Sequence, residues 1–533
     1  MGIFILIPTG APPITFYFSN SNLLTFRVFL NMKTVKMYLL CYFITTIQKD
    51  CLNSKNWNKE LWRFHCSIIN SGNLFIKKNI SLIIMLREAL HNFDKFLSYL
   101  HLYIKILRKS PYIMVMSKIK KILISLIGDP TNYHEANYHY NNYKKTSNFA
   151  SSILIDKEEL DKKILIGQYT LADTGNTFED LQKESIKIIE NKVKEINDFE
   201  KIISPGVFYS KKDSKKDKTL DFKGEIYNFY AYILYKLARI FEEIEGDVEV
   251  ILDLTHGINY MGYLTFNAVN LILDIYSLVN NSKIKVVNSD PYPPGWKSPP
   301  FPDLNINVVL EKEIQPSFVY PSYSDSILRP YSDSAEEKSK LGKELHKKMK
   351  NEKSCTNPKY FINAINKGAL LAAYTFSDDF DQRVNFAVDF FKNNIDIRND
   401  SSRITVIPHF SFARGFESFV VAEMIKKVSN IDKKSQVKLD ELNKKVDIYK
   451  INPMLNVIVQ NEIKSVSDSI QENCKGSWNP LSNILKGNVS SDPDERTFFA
   501  HAGLPGAFVE VNCDTGELRY RNDKLDKIES FLS

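Results

Sequence analysis

Two side chains near the end of the chain have the chemistry needed to cut RNA without a metal ion. Arg496 and His501 stand in the segment SDPDERTFFAHAG (residues 491–503), with four residues between them. Arginine keeps its charge and offers a fork of donors that fits phosphate, whereas histidine exchanges a proton near neutral pH. Together they could take the proton from a ribose 2′-OH and stabilise the charge that develops on phosphate.

The residues around this pair predict one short helix. Asp492 is a suitable N-cap, Pro493 suits the first helical position, and Glu495 can complete a capping box. Gly503 can adopt the left-handed C′ conformation, and Pro505 prevents the helix from continuing.

The spacing limits what one copy of this helix can do. Positions i and i+5 of an α-helix point about 140° apart, so Arg496 and His501 do not converge on one point. A site shared by two copies across a two-fold axis would solve this. The spacing alone equally allows an ordinary helix with an exposed arginine and a half-buried histidine.

Arg403 and His409 are a near match to this pair. The β-branched run 404–407 and Pro408 exclude an intact helix between them. They are therefore predicted to lie in a loop or an extended segment, which makes them weak candidates for catalysis.

A second polar motif, Asp253-Leu254-Thr255-His256-Gly257, ends an apolar stretch, Val248–Leu254. Apolar strands and amphipathic helices alternate around it, which predicts a parallel α/β sheet. Ligands of such sheets bind beyond the carboxyl ends of the strands. The loops Gly128–Asn132 and Thr255–Asn259 offer small residues and a helix N-terminus there, as a phosphate cradle requires. The same residues also fit two tight turns in which His256 caps a helix.

The two motifs together resemble a known family. The pair inside ERTFFAHAGL (residues 495–504) resembles the active-site motif of HEPN-domain ribonucleases, and Asp253–Gly257 resembles the Asp-x-Thr-His-Gly signature of the CRISPR-associated Csx1 family. The motifs also stand in that family's order. The resemblance covers residues 116–533 and departs at Thr497, where asparagine often follows the arginine.

The resemblance implies a Rossmann-like α/β sensor domain of the CARF type, followed by an all-α HEPN domain. It implies that cyclic oligoadenylate, specifically cyclic tetra-adenylate, binds at a dimer axis. The residues expected to form this pocket are Gly128, Asp129, Thr255, His256, Gly257 and Asn259.

The implied activity is that of an ancillary endoribonuclease of type III CRISPR systems. Arg496 and His501 of each copy would be catalytic at the HEPN dimer interface, and single-stranded RNA would be cut without a metal. The products would carry 2′,3′-cyclic phosphates. No cofactor beyond the activating ligand is expected, and the expected partners are RNA and further copies of the chain.

Two other functions are compatible with the same sensor domain. One is a regulator that binds nucleic acid through a helix, and the other is a ring nuclease with a vestigial HEPN domain. No predicted helix has the concentrated basic face of a groove-binding helix. The intact Arg496–His501 pair argues against a vestigial domain.

Composition indicates the general class of protein, the absence of a predicted metal site and the expected compartment. The 533 residues are 44% hydrophobic and 25% charged, with a net charge of +7, as in a globular protein that tolerates an RNA partner. The histidines lack metal-ligand spacing, so no metal site is predicted. The scattered cysteines indicate a reducing compartment, the cytoplasm. These are Cys41, Cys51, Cys66, Cys355, Cys474 and Cys513.

Four regions are predicted along the chain. Residues 1–115 form an uncertain extension: their start is uncharged but broken by prolines, so it suits neither a signal peptide nor a membrane span. Either translation starts near Met116, or the extension is helical and specific to a lineage. Residues 116–311 are predicted to be the sensor domain, 312–356 a connector, and 357–533 the ribonuclease domain.

Periodicity predicts the individual elements. The predicted strands are Lys121–Ile127, Ile164–Thr170, Val248–Leu254, Ile284–Val287 and Leu304–Leu310, with a hairpin at Ala507–Val511 and Leu518–Arg521. The predicted helices are Phe178–Phe199, Asp221–Glu245, one from Asn259, Glu336–Lys350, Pro358–Phe376, Asp379–Asn394, Ala413–Ser429 and Lys434–Tyr449.

Overall fold

The computed structural model describes residues 119–212, 218–296, 298–316, 326–351, 355–450, 452–485 and 490–533. The predicted extension, residues 1–115, lies outside these ranges. All the described residues belong to one compact unit. No helix within the described ranges is both long and apolar enough to cross a bilayer.

The first part of the described chain alternates strands and helices. Its strands are β1 (Lys120–Leu126), β2 (Ala136–Tyr140), β3 (Tyr143–Ser147), β4 (Lys162–Gln168), β5 (Glu200–Ser204), β6 (Phe208–Ser210), β7 (Thr219–Phe222), β8 (Val248–Asp253), β9 (Ser282–Ser289) and β10 (Asp303–Ile314). Its helices are α1 (Ser151–Lys157), α2 (Phe178–Lys192), α3 (Ile226–Glu242) and α4 (Asn259–Tyr276).

Eight of these strands form one sheet in the order β3-β2-β10-β9-β8-β1-β4-β5. Strands β5, β4, β1, β8 and β9 are parallel, as the alternating pattern predicted. The middle strands β1 and β8 are apolar and almost fully buried, because helices cover both faces of a parallel sheet. Chain order places β4 and β5 on one side of β1, and β8 and β9 on the other. The strand order therefore switches between β1 and β8.

The second part of the described chain is mainly helical. Its helices are α5 (Ala335–Asn351), α6 (Pro358–Asn366), α7 (Leu370–Phe376), α8 (Phe380–Asn393), α9 (Arg414–Ser429), α10 (Leu439–Lys444), α11 (Pro453–Asn473), α12 (Glu495–Ala500) and α13 (Leu525–Phe531). Short strands accompany them: β11 (Leu328–Pro330), β12 (Ile395–Asn399), β13 (Arg403–Pro408), β14 (Phe410–Phe412), β15 (Val437–Lys438), β16 (Trp478–Pro480), β17 (Val509–Asn512) and β18 (Glu517–Tyr520).

The predicted fold classes, an α/β sheet followed by a helical domain, are confirmed, although the helical part contains more strands than its periodicity indicated. Strands β17 and β18 form the predicted hairpin. The single helix predicted for Pro358–Phe376 is two helices, because Gly368 between them has a positive φ of +79°. The helix predicted for Lys434–Tyr449 is shorter, and a two-residue strand precedes it.

Helix α11 was not among the predicted elements, although the sequence carries signals for it. The Asn452 side chain accepts the N–H of Leu455, and Pro453 occupies the first helical position. Val459, Ile463 and Val466 recur at helical spacing and are all buried. This helix contacts the Arg496–His501 segment through Glu462 and His501.

Two structures join the α/β part to the helical part. Strand β7 pairs in parallel with β13, and Asp221 of β7 forms an ion pair with Arg403 of β13. Helix α3 packs against α9, where the Tyr227 hydroxyl donates to Glu417 at 3.3 Å. Burial raises the pKa of the Glu417 carboxyl at this junction. The two parts are therefore connected through paired backbone as well as through side chains.

Candidate functional sites

The Arg496–His501 segment forms α12, a helix of only six residues. Its N-cap is Asp494, whose carboxylate accepts the N–H of Thr497 at 2.8 Å. The prediction that Asp492 is the N-cap is wrong: Asp492 stands outside the helix and pairs with Lys527 instead. Arg496 is therefore the second residue of the helix, where its side chain is exposed.

The C-terminal end of α12 differs from the prediction by one position. His501 is the C-cap, and Ala502 takes the left-handed conformation expected of Gly503, with φ 48°. The N–H groups of Ala502 and Gly503 donate to the carbonyls of Phe499 and Phe498, which is a Schellman motif. Gly503 is also left-handed, at φ +74°, and a Cβ there would lie 2.7 Å from Ala369. Both ends of the helix are thus fixed by hydrogen bonds.

Aromatic packing holds the inner face of α12. Phe498 is fully buried and contacts the rings of Phe508, Tyr520 and Phe531. On the outer side, Lys367 pairs with Glu495 at 3.1 Å. The position of the helix on the domain is therefore set by its core face, which leaves Arg496 and His501 at the surface.

The environments of Arg496 and His501 differ. The Arg496 guanidinium makes no hydrogen bond or close ion pair with a described residue, although it interacts electrostatically with Asp494. His501 is half-exposed, and its Nδ1 lies 3.2 Å from Oε2 of Glu462 on α11. An exposed cation and an oriented imidazole are the groups that attack of a ribose 2′-hydroxyl on phosphorus needs.

The competing pair, Arg403 and His409, lies in the extended segment that the sequence predicted. Arg403 begins β13, and its guanidinium is bound to Asp221. His409 lies between β13 and β14, and its backbone bonds Asn394 and Tyr331. Arg403 therefore serves the junction between the two parts of the fold.

The predicted phosphate-binding loops meet at the switch in strand order. The loop after β1 contains Gly128, and the loop after β8 contains Thr255, His256 and Gly257. Thr255 is fixed in its turn: its N–H donates to Asp253 at 2.9 Å, and its Oγ1 accepts the N–H of Ser289 at 3.1 Å. This is the position at which parallel α/β sheets bind ligands.

His256 is largely, though not fully, buried at this place. Its imidazole stacks between Tyr133 and Phe149, at centroid distances of 4.3 and 5.6 Å. Its Nε2 accepts the N–H of Ala150, the N-cap residue of α1, at 2.9 Å. Burial lowers the pKa of His256 to about 4, so the ring is neutral at physiological pH. The sequence also allowed His256 to cap a helix. In the structure its side chain does accept a hydrogen bond at the start of a helix, and that helix is α1.

Tyr133 was not selected from the sequence, yet it ties the two loops together. Its hydroxyl accepts the N–H of Gly128 at 2.9 Å and donates to the carbonyl of His256 at 3.1 Å. Burial raises the pKa of Tyr133 well above its usual value, so the hydroxyl stays protonated. Only the tertiary structure pairs these groups, because Tyr133 and His256 are distant in sequence.

The other predicted pocket residues have separate roles. Asp129 caps a short turn, accepting from the N–H and hydroxyl of Thr131 and from Asn132. Gly257 lies against β1, where a Cβ would be 2.7 Å from Leu126. Asn259 is exposed at the first position of α4.

The N-terminus of α4 is suited to an anion. Its N-cap residue is Ile258, which has no side-chain acceptor, and no side chain of the described residues caps the first N–H groups. These groups and the positive end of the helix dipole point beyond the carboxyl edge of the sheet. The described residues contain no cluster of three His, Cys, Asp or Glu side chains that could hold a metal ion.

The structure also joins two cysteines that the sequence left separate. Cys474, at the end of α11, is bonded to Cys513, after β17. The scattered spacing gave no indication of this bond, and a reducing compartment would not favour it.

Fold and sites together define a class of protein: an α/β domain, with a helix N-terminus at the carboxyl edge of its sheet, joined to a helical domain with an exposed Arg–His pair. Family models of the CRISPR system endoribonuclease Csx1 match residues 122–291 as its CARF domain and residues 452–523 as its HEPN domain. The CRISPR system endoribonuclease Csx1 of Methanocaldococcus jannaschii is 30% identical over 438 residues, which cover 77% of this chain and 90% of that relative. The chain belongs to the Csx1 family of CRISPR-associated endoribonucleases.

Proposed function

We propose that this chain is an ancillary ribonuclease of type III CRISPR defence, activated by cyclic oligoadenylate at the CARF domain. The observation that carries the proposal is the arrangement of Arg496 and His501, both exposed at opposite ends of a helix whose ends are capped. The proposed activator is cyclic tetra-adenylate, the substrate is single-stranded RNA, and the site of action is the cytoplasm.

The proposed chemistry uses the protein's own groups and no metal ion. His501 takes the proton of a ribose 2′-OH, and the 2′-oxygen attacks the adjacent phosphorus. Arg496 stabilises the charge on the phosphorane oxygens. The bond from phosphorus to the 5′-oxygen breaks, that oxygen takes a proton, and the products carry 2′,3′-cyclic phosphate and 5′-OH ends.

Two copies of the chain form the working site in this proposal. In ideal helix geometry, Arg496 and the C-cap residue His501 point about 140° apart, so in this proposal a second copy brings an arginine to a histidine. Helix α11, which contacts His501, exposes 77% of Met454 and 53% of Val457. Apolar side chains exposed together are typical of protein–protein contact surfaces. Beside the sensor loops, α4 likewise exposes 69% of Tyr263, which suits a second contact between copies.

The sensor edge fits a ring of phosphates. Each phosphate of a cyclic oligoadenylate is an anion, and the uncapped N-terminus of α4 supplies N–H groups at the switch point. A two-fold axis would present two such termini to one ring. The β7–β13 pairing and the α3–α9 contact then provide a physical connection from the sensor domain to the helical domain.

A cleavage assay tests the proposal. Labelled single-stranded RNA is incubated with the full chain, with and without cyclic tetra-adenylate, in the presence of EDTA. We expect ligand-dependent cleavage that EDTA does not diminish. RNA binding without cleavage would favour a nucleic-acid-binding regulator, and breakdown of the ligand with intact RNA would favour a ring nuclease. Strict dependence on Mg²⁺ would exclude the proposed chemistry.

A further inference from the structure

His501 has a carboxylate partner that lies outside its own motif. Its Nδ1 is 3.2 Å from Oε2 of Glu462. An ionised carboxylate only accepts hydrogen bonds, so the shared proton belongs to Nδ1 of the imidazole. Nε2 has no hydrogen bond to a described residue, and the ring is half-exposed. The contact therefore leaves Nε2 as the nitrogen that can take a proton from a substrate.

Glu462 is held on a rigid element. It precedes Ile463, which is buried together with Val459 and Val466 on the inner face of α11. A carboxylate on such a helix holds its partner in a fixed direction, which is what preorganised catalysis requires.

We propose that Glu462 is a positioning residue for His501, an inference that rests on the proposed ribonuclease function. Its carboxylate keeps the imidazole in the tautomer protonated at Nδ1 and directs Nε2 towards the ribose. During attack, the 2′-OH proton passes to Nε2 while the bond from the 2′-oxygen to phosphorus forms. Glu462 then stabilises the resulting imidazolium without taking the proton itself. It touches neither the substrate nor the reacting atoms.

Kinetics of two Glu462 variants test this role. In Glu462→Gln, the amide oxygen can still accept from Nδ1–H, whereas in Glu462→Leu no acceptor remains. With saturating activator, we expect Glu462→Leu to lower kcat about 10- to 100-fold, with KM changed by less than about twofold. Glu462→Gln should retain more activity than Glu462→Leu. Asp468→Asn is the matched control, an exposed carboxylate on the same helix.

Folding is checked by the thermal transition of each variant. A partly exposed contact of this kind contributes little to stability, so Glu462→Leu should remain folded and bind the activator normally. Wild-type kcat in Glu462→Leu would overturn the inference, as would a loss confined to KM. Equal losses in both variants would also overturn it, because the hydrogen-bond acceptor would then have no role.

The experiment also separates this inference from the proposed function. If the wild-type chain does not cut RNA when the activator is present, the proposed function fails. If the wild-type chain cuts, His501→Ala does not, and Glu462→Leu cuts normally, only the role of Glu462 fails.

Discussion

The hydroxyl of Tyr133 donates to the backbone carbonyl of His256, and the two rings stack at 4.3 Å. The same hydroxyl accepts the N–H of Gly128. One side chain therefore connects the loop after β1 to the loop after β8, at the edge where the sensor domain is proposed to bind its ligand.

Replacing Tyr133 with phenylalanine should loosen this connection. Tyr133→Phe leaves the Gly128 N–H and the His256 carbonyl without a partner, at a cost of about 1–3 kcal/mol for a buried group. We expect faster hydrogen exchange in residues 254–258 and weaker binding of cyclic tetra-adenylate by calorimetry. Tyr143→Phe is the control, because the Tyr143 hydroxyl has no hydrogen bond within the described ranges. Unchanged exchange and affinity in Tyr133→Phe would show that the loops hold their positions without this bridge.

Acidification should destabilise the sensor domain through His256. Burial lowers the pKa of His256 from 6.5 to about 4, so between these values the unfolded chain binds a proton that the folded chain does not. Stability contributed by the neutral ring is present above pH 6.5 and is lost as the pH falls towards 4. From pH 7 to pH 5 this loss is about 2 kcal/mol.

Urea unfolding at the two pH values measures this effect. The variant His256→Gln lacks the titrating group, so its stability should change less than that of the wild type over the same interval. Equal pH dependence in the two proteins would mean that other groups account for the acid sensitivity.

Gly257 should not tolerate alanine, for a reason that the motif alone did not give. A Cβ at Gly257 would lie 2.7 Å from Cδ1 and 3.2 Å from Cβ of Leu126, so the loop or the strand must shift. We expect Gly257→Ala to weaken activator binding and ligand-stimulated cleavage by displacing the loop. Gly262→Ala is the control, because its Cβ would meet only Leu254 atoms at 3.9 Å. In a helix this substitution should stabilise by about 0.5–1 kcal/mol. Normal activator affinity in Gly257→Ala would remove this loop from the proposed pocket.

Cleavage should depend on Arg496 and His501 and not on the competing pair. We expect His501→Ala and Arg496→Ala each to lower ligand-stimulated cleavage by at least about 100-fold, with activator binding unchanged. His409→Ala should have a much smaller effect, since His409 lies between two strands and makes its bonds through the backbone. Comparable losses in His409→Ala and His501→Ala would contradict this assignment.

Mixed dimers test whether the site is shared. A dimer of one wild-type subunit and one Arg496→Ala/His501→Ala subunit has no site that combines an intact arginine with an intact histidine from opposite copies. We expect it to be far less than half as active as the wild type, as measured with differently tagged subunits purified together. Retention of about half the activity would mean that each subunit cuts alone, contrary to the divergence of about 140°.

The sequence by itself determined the elements whose patterns are local. Strands β1 and β8 follow from short apolar runs, and α3 follows from a stripe in which Phe229, Ile233 and Leu237 recur at helical spacing and are buried. The Arg–His motif and the Asp253–Gly257 motif were likewise visible, because their residues are neighbours in the chain. The meeting of the Gly128 and Thr255 loops followed from the rule that parallel strands present their carboxyl ends at one edge.

The tertiary structure alone decided which distant groups meet. Asp492 pairs with Lys527, whereas Asp494 caps α12. Glu462, on another helix, contacts His501. Tyr133 joined His256, and β13 paired with β7. The physical reason is that periodicity and capping act within a few residues, whereas these contacts depend on which buried surfaces pack together. Propensity and spacing therefore fixed the chemical groups, and packing fixed their partners.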